Sequence, residues 1–252
     1  MSNRFIKQLI FGVFYLILFS AIGYGLYFLA WRPASSCFDN RQNQGEEEID
    51  CGGPCQPCAL KNLKPIDIFS QPQLLEIDGQ TGALHFQLKN SNDAGADRFS
   101  YSVDFYDAGG EKIQSLSNDS FIYARQVKTI VEAPIKIPVK AVARIQATVS
   151  GINWRLAEEF SRPNIQTRSV KVETVKDQVK ITGLVLNNND FKLSSVQVAV
   201  ITTNNLGLNV SVSKTILKDL APFEERAFTV FAPRAGQIIA PDLTTVFVDG
   251  LR

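Results

Sequence analysis

Four cysteines, Cys37, Cys51, Cys55 and Cys58, are the residues best able to do chemistry in this 252-residue chain, and their spacing is C-x13-C-x3-C-x2-C. Two chemistries fit that spacing. Two disulfides would staple a segment too short to hold a fold by apolar burial. Three pairings are then possible, and spacing does not choose among them. Alternatively, the close trio Cys51, Cys55 and Cys58 could ligate zinc tetrahedrally together with Cys37. An oxidising compartment favours the disulfides. Asp39, Asn43, Glu46 and Asp50 lie in the same segment and bring hard oxygen ligands together, which makes them calcium candidates. Their spacing is not that of an EF-hand, and an acidic loop with Asx turns is the competing reading.

The rest of the chain is poor in reactive constellations. His85 is the only histidine, and alternation places it on the polar face of a strand, facing solvent. Every cysteine lies in the one segment, so no Cys–His pair is expected. No G-x-S-x-G, H-E-x-x-H, P-loop or G-x-G-x-x-G is present. Glu158 and Glu159 precede Arg162-Pro163 and read as solvated linker residues rather than an acid/base pair. Trp154 alternates with Ile152 and Leu156 and reads as core. Lys and Arg number 26 against 25 Asp and Glu, with no dense basic cluster, so nucleic acid is not an expected partner. No cofactor and no catalytic residue is expected.

Two kinds of element must position these residues. Residues 9–31, from Leu9 to Trp31, carry no charge. A helix of that length spans roughly 35 Å, enough to cross a bilayer core of about 30 Å. The apolar run is longer than a signal-peptide core and ends at Trp31, Arg32 and Pro33 without a small-residue cleavage site. Residues 1–8 are too few to fold, so the folded mass must be C-terminal. Cysteine usage places that mass outside the cytoplasm. Beyond Cys58, alternation at Leu84, Phe86 and Leu88, at Tyr101, Val103 and Phe105, and at Val196, Val198 and Val200 predicts strands. Turn signals separate them at 90–93, 107–110, 187–190 and 204–207. The same order of strand, Asn-rich turn, strand and Gly turn occurs twice. Asn90 and Asn188 lie about 100 residues apart, the length of one immunoglobulin-like sandwich of seven or so strands.

The cysteine segment resembles a short module found beside repeats and anchors in bacterial surface proteins, with the pattern C-x-D-G-x-Q-N-G-x-E-x-G-x-D-C-G-G-x-C-x-P-C. Cys37, Asp39, Gln42, Asn43, Glu46, Asp50, Cys51, Gly52, Gly53, Cys55, Pro57 and Cys58 match it, while Asn40, Gln44 and Glu48 replace glycines. The second half is similar to a bacterial envelope β-sandwich family, FxLYD-like, on Gly183-Leu184-Val185-Leu186-Asn187 and on Leu220-Ala221-Pro222-Phe223-Glu224 with Phe228. Phe223 stands where that family usually has glycine. The resemblance implies fold and envelope location and transfers no active site.

The expected organisation is mainly β, with an N-terminal transmembrane helix. Residues 1–8 form a cytoplasmic N-terminus, 9–31 the transmembrane helix, and 37–58 a cysteine-rich stalk. Two β-sandwiches follow at 65–160 and 164–252. The expected function is a non-enzymatic envelope scaffold or interaction protein, held in the bilayer by 9–31 and meeting an envelope protein partner. An accessory subunit of a pilus or export machine, and a calcium or small-molecule receptor, are the alternatives.

Overall fold

The computed structural model describes residues 3–30, 36–234 and 236–252, and side chains within α1 from residue 6 to residue 27. Trp31, Arg32 and Pro33, where the apolar run was expected to end, lie outside the described residues. The chain forms two compact units, residues 1–61 and 62–252.

The first unit begins with helix α1 (Asn3–Ala30). From Ile6 to Tyr27, 22 residues, it is long and apolar enough to cross a membrane, and none of that stretch is buried in the protein. At about 1.5 Å per residue this is roughly 33 Å. Leu9, Ile10, Phe11, Phe14, Leu16 and Ile17 are all exposed, so apolar side chains point to every side of the helix. A helix that is apolar all round needs an apolar surrounding. A membrane anchor and a signal sequence both meet this description. The cysteine segment that follows has little regular structure beyond a bridge between Glu48 and Cys51 and a single 3-10 turn at Cys58–Leu60.

The second unit is all β apart from two short 3-10 turns, Val139–Ala141 and Pro241–Leu243. Its strands among the described residues are β1 (Asp67–Asp78), β2 (Thr81–Lys89), β3 (Ala94–Tyr106), β4 (Lys112–Ile122), β5 (Val127–Lys136) and β6 (Arg144–Leu156), then β7 (Ile165–Val175), β8 (Gln178–Asn187), β9 (Leu193–Thr203), β10 (Asn209–Leu220), β11 (Glu225–Pro233) and β12 (Thr245–Leu251). They form antiparallel sheets ordered β1-β2-β5 and β4-β3-β6, and then β11-β8-β7 and β10-β9-β12. The second pair of sheets repeats the first. Each pair encloses its own core: Leu84, Phe86, Phe99, Val103 and Phe105 in the first, Val179, Ile181, Val198, Phe228 and Val230 in the second. Period-2 alternation makes these strands, because one face of each must leave water. Each sandwich has six strands rather than the expected seven or so, since β6 leads through residues 157–164 straight into β7.

The repeat extends to a polar clasp at one end of each sandwich. The side-chain amide of Asn90 donates to Ala94 O and Tyr123 O, and its Oδ1 accepts from Asn92. Asn187 donates likewise to Phe191 O and Ala221 O, and its Oδ1 accepts from Asn189. Asn92 then ties down Lys64, and Asn189 ties down Asn164. The equivalent of Asn90 is therefore Asn187, not Asn188. The chain enters both sandwiches at these clasped ends.

The two sandwiches share a third apolar cluster. Ala83 and Val131 of the first meet Ala199, Ile201 and Val212 of the second, with Leu75, Ile77, Ala133 and Phe247 around them. The outer face of sheet β1-β2-β5 is thus covered by sheet β10-β9-β12. This overturns the expectation for His85, which is only 6 % exposed. It does lie opposite Leu84 and Phe86 as alternation requires, but the face it occupies is buried by the neighbouring sandwich.

Candidate functional site

In the cysteine segment the structure pairs Cys37 with Cys55 and Cys51 with Cys58, with Cα–Cα distances of 5.6 and 4.8 Å. Every sulfur is used, so none is a thiolate free to ligate zinc. The oxygen-bearing residues are turned onto the loop's own amides. Asp50 Oδ1 accepts from the backbone N–H of Asp39 and Asn40, at 3.0 and 3.1 Å. Glu46 Oε2 accepts from the N–H of Asn43 and Asp50, and Asp39 Oδ2 accepts from the Asn43 side chain. The described groups of three or more His, Cys, Asp or Glu whose ligand atoms converge within 4.8 Å are Cys37–Glu46–Cys55 and Glu48–Cys51–Cys58, both built on disulfide sulfurs. Asp39, Asn43, Glu46 and Asp50 serve as internal hydrogen-bond partners for a chain with no sheet or helix to satisfy its amides. Asn40 and Gln44 adopt φ of 56° and 55°, left-handed angles that glycine takes more readily.

The most unusual electrostatics lie between the sandwiches. Lys128 is 3 % exposed, with its Nζ 3.3 Å from the centre of the Phe121 ring and 3.9 Å from Asp249 Oδ2. Asp249 also accepts from Gln126 Nε2 at 2.6 Å and lies 3.7 Å from Arg162. Desolvation brings the Lys128 ammonium down to about 8, while the Asp249 carboxylate opposes the shift. Tyr123 stacks on Phe160 at 4.5 Å and donates its hydroxyl to Gly250 O across the same seam. Farther along, Lys214 pairs with Glu132 at 3.1 Å, and the Tyr101 hydroxyl donates to that carboxylate. His85 contacts Asn209 at 3.3 Å, and burial lowers its proton affinity. None of this pairing was read from the sequence. Lys128 shares the parity of Ile130 in β5, the one local hint of an inward position. Asp249 and Gln126 carry no such signal, because their burial comes from the other sandwich.

Trp154 packs half-buried on the first core, and Glu158 and Glu159 are exposed, as read from the sequence. Among the open surfaces of the described residues are these two. One is a groove of about 480 Å³ beside Leu75, Ile77, Leu208 and Asn209, at the end opposite the Asn clasps, where Leu206, Leu208 and Ile238 are exposed. The other is the free edge of β6, whose pairing neighbour is β3 alone.

No protein-family model and no curated protein matches the chain. Among solved structures, it is similar to a red sea bream transglutaminase, at 12% identity and a TM-score of 0.26, over 76% of this chain and 32% of that one. It is also similar to a β-glucuronidase from glycoside hydrolase family 2, at 11% identity and a TM-score of 0.24, over 88% of this chain and 29% of that one. The chain thus spans about a third of the length of each.

Proposed function

We propose that this chain is a single-pass, membrane-anchored protein of the bacterial cell envelope, and that its task is non-enzymatic: it holds a rigid pair of immunoglobulin-like sandwiches outside the cytoplasm for another envelope protein to bind. The observation that carries the reading is α1, apolar on every side and unburied, followed closely by two disulfides. Lipid satisfies the helix, and an oxidising compartment satisfies the cysteines. Residues 1–8 then stay inside and 62–252 stand outside. The apolar cluster and the Lys128–Asp249 contacts fuse the sandwiches, which suits a protein that presents surfaces at fixed spacing. No nucleic acid and no cofactor belongs to this reading. Purification in mild detergent tests it: a stoichiometric complex with another envelope protein is expected, and a chain that always purifies alone contradicts it. A complex that also contains pilus or export components would make the chain an accessory subunit of that machine.

A further inference from the structure

Each three-stranded sheet leaves two edge strands, and most of them are protected against further pairing. Pro72 and Glu76 guard β1, Lys112 and Asp119 β4, and Glu132 and Pro134 β5. A bulge at Ser169, φ 52°, with Arg168 and Lys171 on either side, guards β7. Lys214 and Lys218 stand in β10, Arg226 and Pro233 in β11, and the short β12 carries Asp249 and Gly250. β6 differs. From Ile145 to Ser150 it has no charge, no proline and no glycine, regular pairing with β3 holds until the shift near Gly151, and its inner row is apolar, whereas the uncharged run 113–118 of β4 turns Gln114 and Asn118 onto the same face.

The inner row of β6 is also incompletely covered. Ile145, Ala147 and Val149 pack on the first core but are only half-buried, while their cross-strand partners Phe105, Val103 and Tyr101 are buried. Beside this edge lies a groove of about 390 Å³, with Gln71, Pro72 and Leu74 on one side and Val142, Arg144 and Ile145 on the other. A seventh strand would fill that space, and none of the described strands pairs there. Arg144 lies over the Tyr106 ring at 4.1 Å, and no carboxylate among the described residues pairs with it.

We infer that the Arg144–Ser150 edge of β6 is a strand-acceptor site for an extended segment of a partner protein. This rests on the reading of the chain as an envelope interaction protein. The segment runs about seven residues, roughly 23 Å at 3.3 Å per residue. It carries apolar residues at alternate positions, which cover Ile145, Ala147 and Val149, and an acidic residue near Arg144. Main-chain hydrogen bonds supply affinity and the alternate side chains supply specificity. A second copy fits less well. Antiparallel self-pairing about Ala147 sets Arg144 opposite Ser150 of the other copy, and the paired run Ile145–Ser150 offers Arg144 no carboxylate.

The test uses the full chain in lipid nanodiscs and a fluorescent nine-residue peptide with valine at alternate positions and threonine and one aspartate between. Saturable micromolar binding is expected. N-methylation of one alternate set of peptide residues weakens it more than tenfold, the other set less than about twofold, because only one edge of an added strand faces β6. Arg144→Glu, an exposed substitution, weakens it about fivefold. No saturation at millimolar peptide, or equal effects from both N-methylated sets, overturns the proposal. So does a dimer that the peptide cannot dissociate, which gives the edge to a second copy. A native complex that persists in Arg144→Glu and photo-crosslinks from Leu206 but not from Thr148 removes β6 as the site and leaves the interaction reading standing.

Discussion

Lys128 shows how burial decides the chemistry of a single residue. An ammonium taken out of water is costly unless its partners are close, and Asp249 at 3.9 Å with the Phe121 ring face at 3.3 Å compensates in part. Lys128→Met removes that cost but leaves the buried Asp249 carboxylate to Gln126 and Arg162 alone, so it should change stability less than the loss of Asp249 does. Asp249→Ala, which strands the buried ammonium, should cost about 3–5 kcal/mol. The pH dependence carries a sign. The native proton affinity of about 8 lies below the ordinary lysine value of 10.5, so the unfolded chain binds more protons between the two. Stability from this group is therefore fully present above about 10.5 and is lost as pH falls through about 8. Urea midpoints should rise from pH 7.5 to 9.5 in the wild-type chain, and the rise should shrink in Lys128→Met. An equal rise in both would mean that Lys128 is not the titrating group.

At the scale of elements, the strands and turns were legible because period-2 alternation is local. Leu84, Phe86 and Leu88 announce β2, and the Asn-rich and Gly-rich runs fall between strands as turns. The corners were legible only in part. Phe223 occupies the position where the resembling family has glycine, and its φ of 56° gives the reason: the residue before Glu224 must be left-handed. Arg125 holds the same place in the first sandwich, with φ 56°. Arg125 N–H bonds Asn92 O, and Phe223 N–H bonds Asn189 O. Phe223 is exposed and loses little packing on removal. Phe223→Gly should therefore stabilise the second sandwich by about 0.5–1 kcal/mol, the relief of left-handed strain less the entropy of a freer unfolded chain. Thermal unfolding reads this directly, and a lower midpoint would show that the ring packs in solution. The slip of one residue, Asn188 for Asn187, arose because a run of three asparagines gives no clue to which one turns inward.

At the scale of the molecule, what escaped the sequence is the contact between its two halves. His85, Lys128 and Asp249 sit on strands, and Gln126 in the turn before β5, where the local pattern does not reveal that a second sandwich covers them. The disulfide pairing was likewise undetermined, since three connectivities suit one spacing. The proposed topology turns on which side of a membrane Cys37 to Cys58 occupy, and labelling intact cells with a membrane-impermeant maleimide, with and without prior reduction, decides it. All four cysteines should label only after reduction, without lysis. Labelling only after lysis would place the segment inside, and labelling of intact cells without reduction would show free thiols where the structure has disulfides; either result contradicts it.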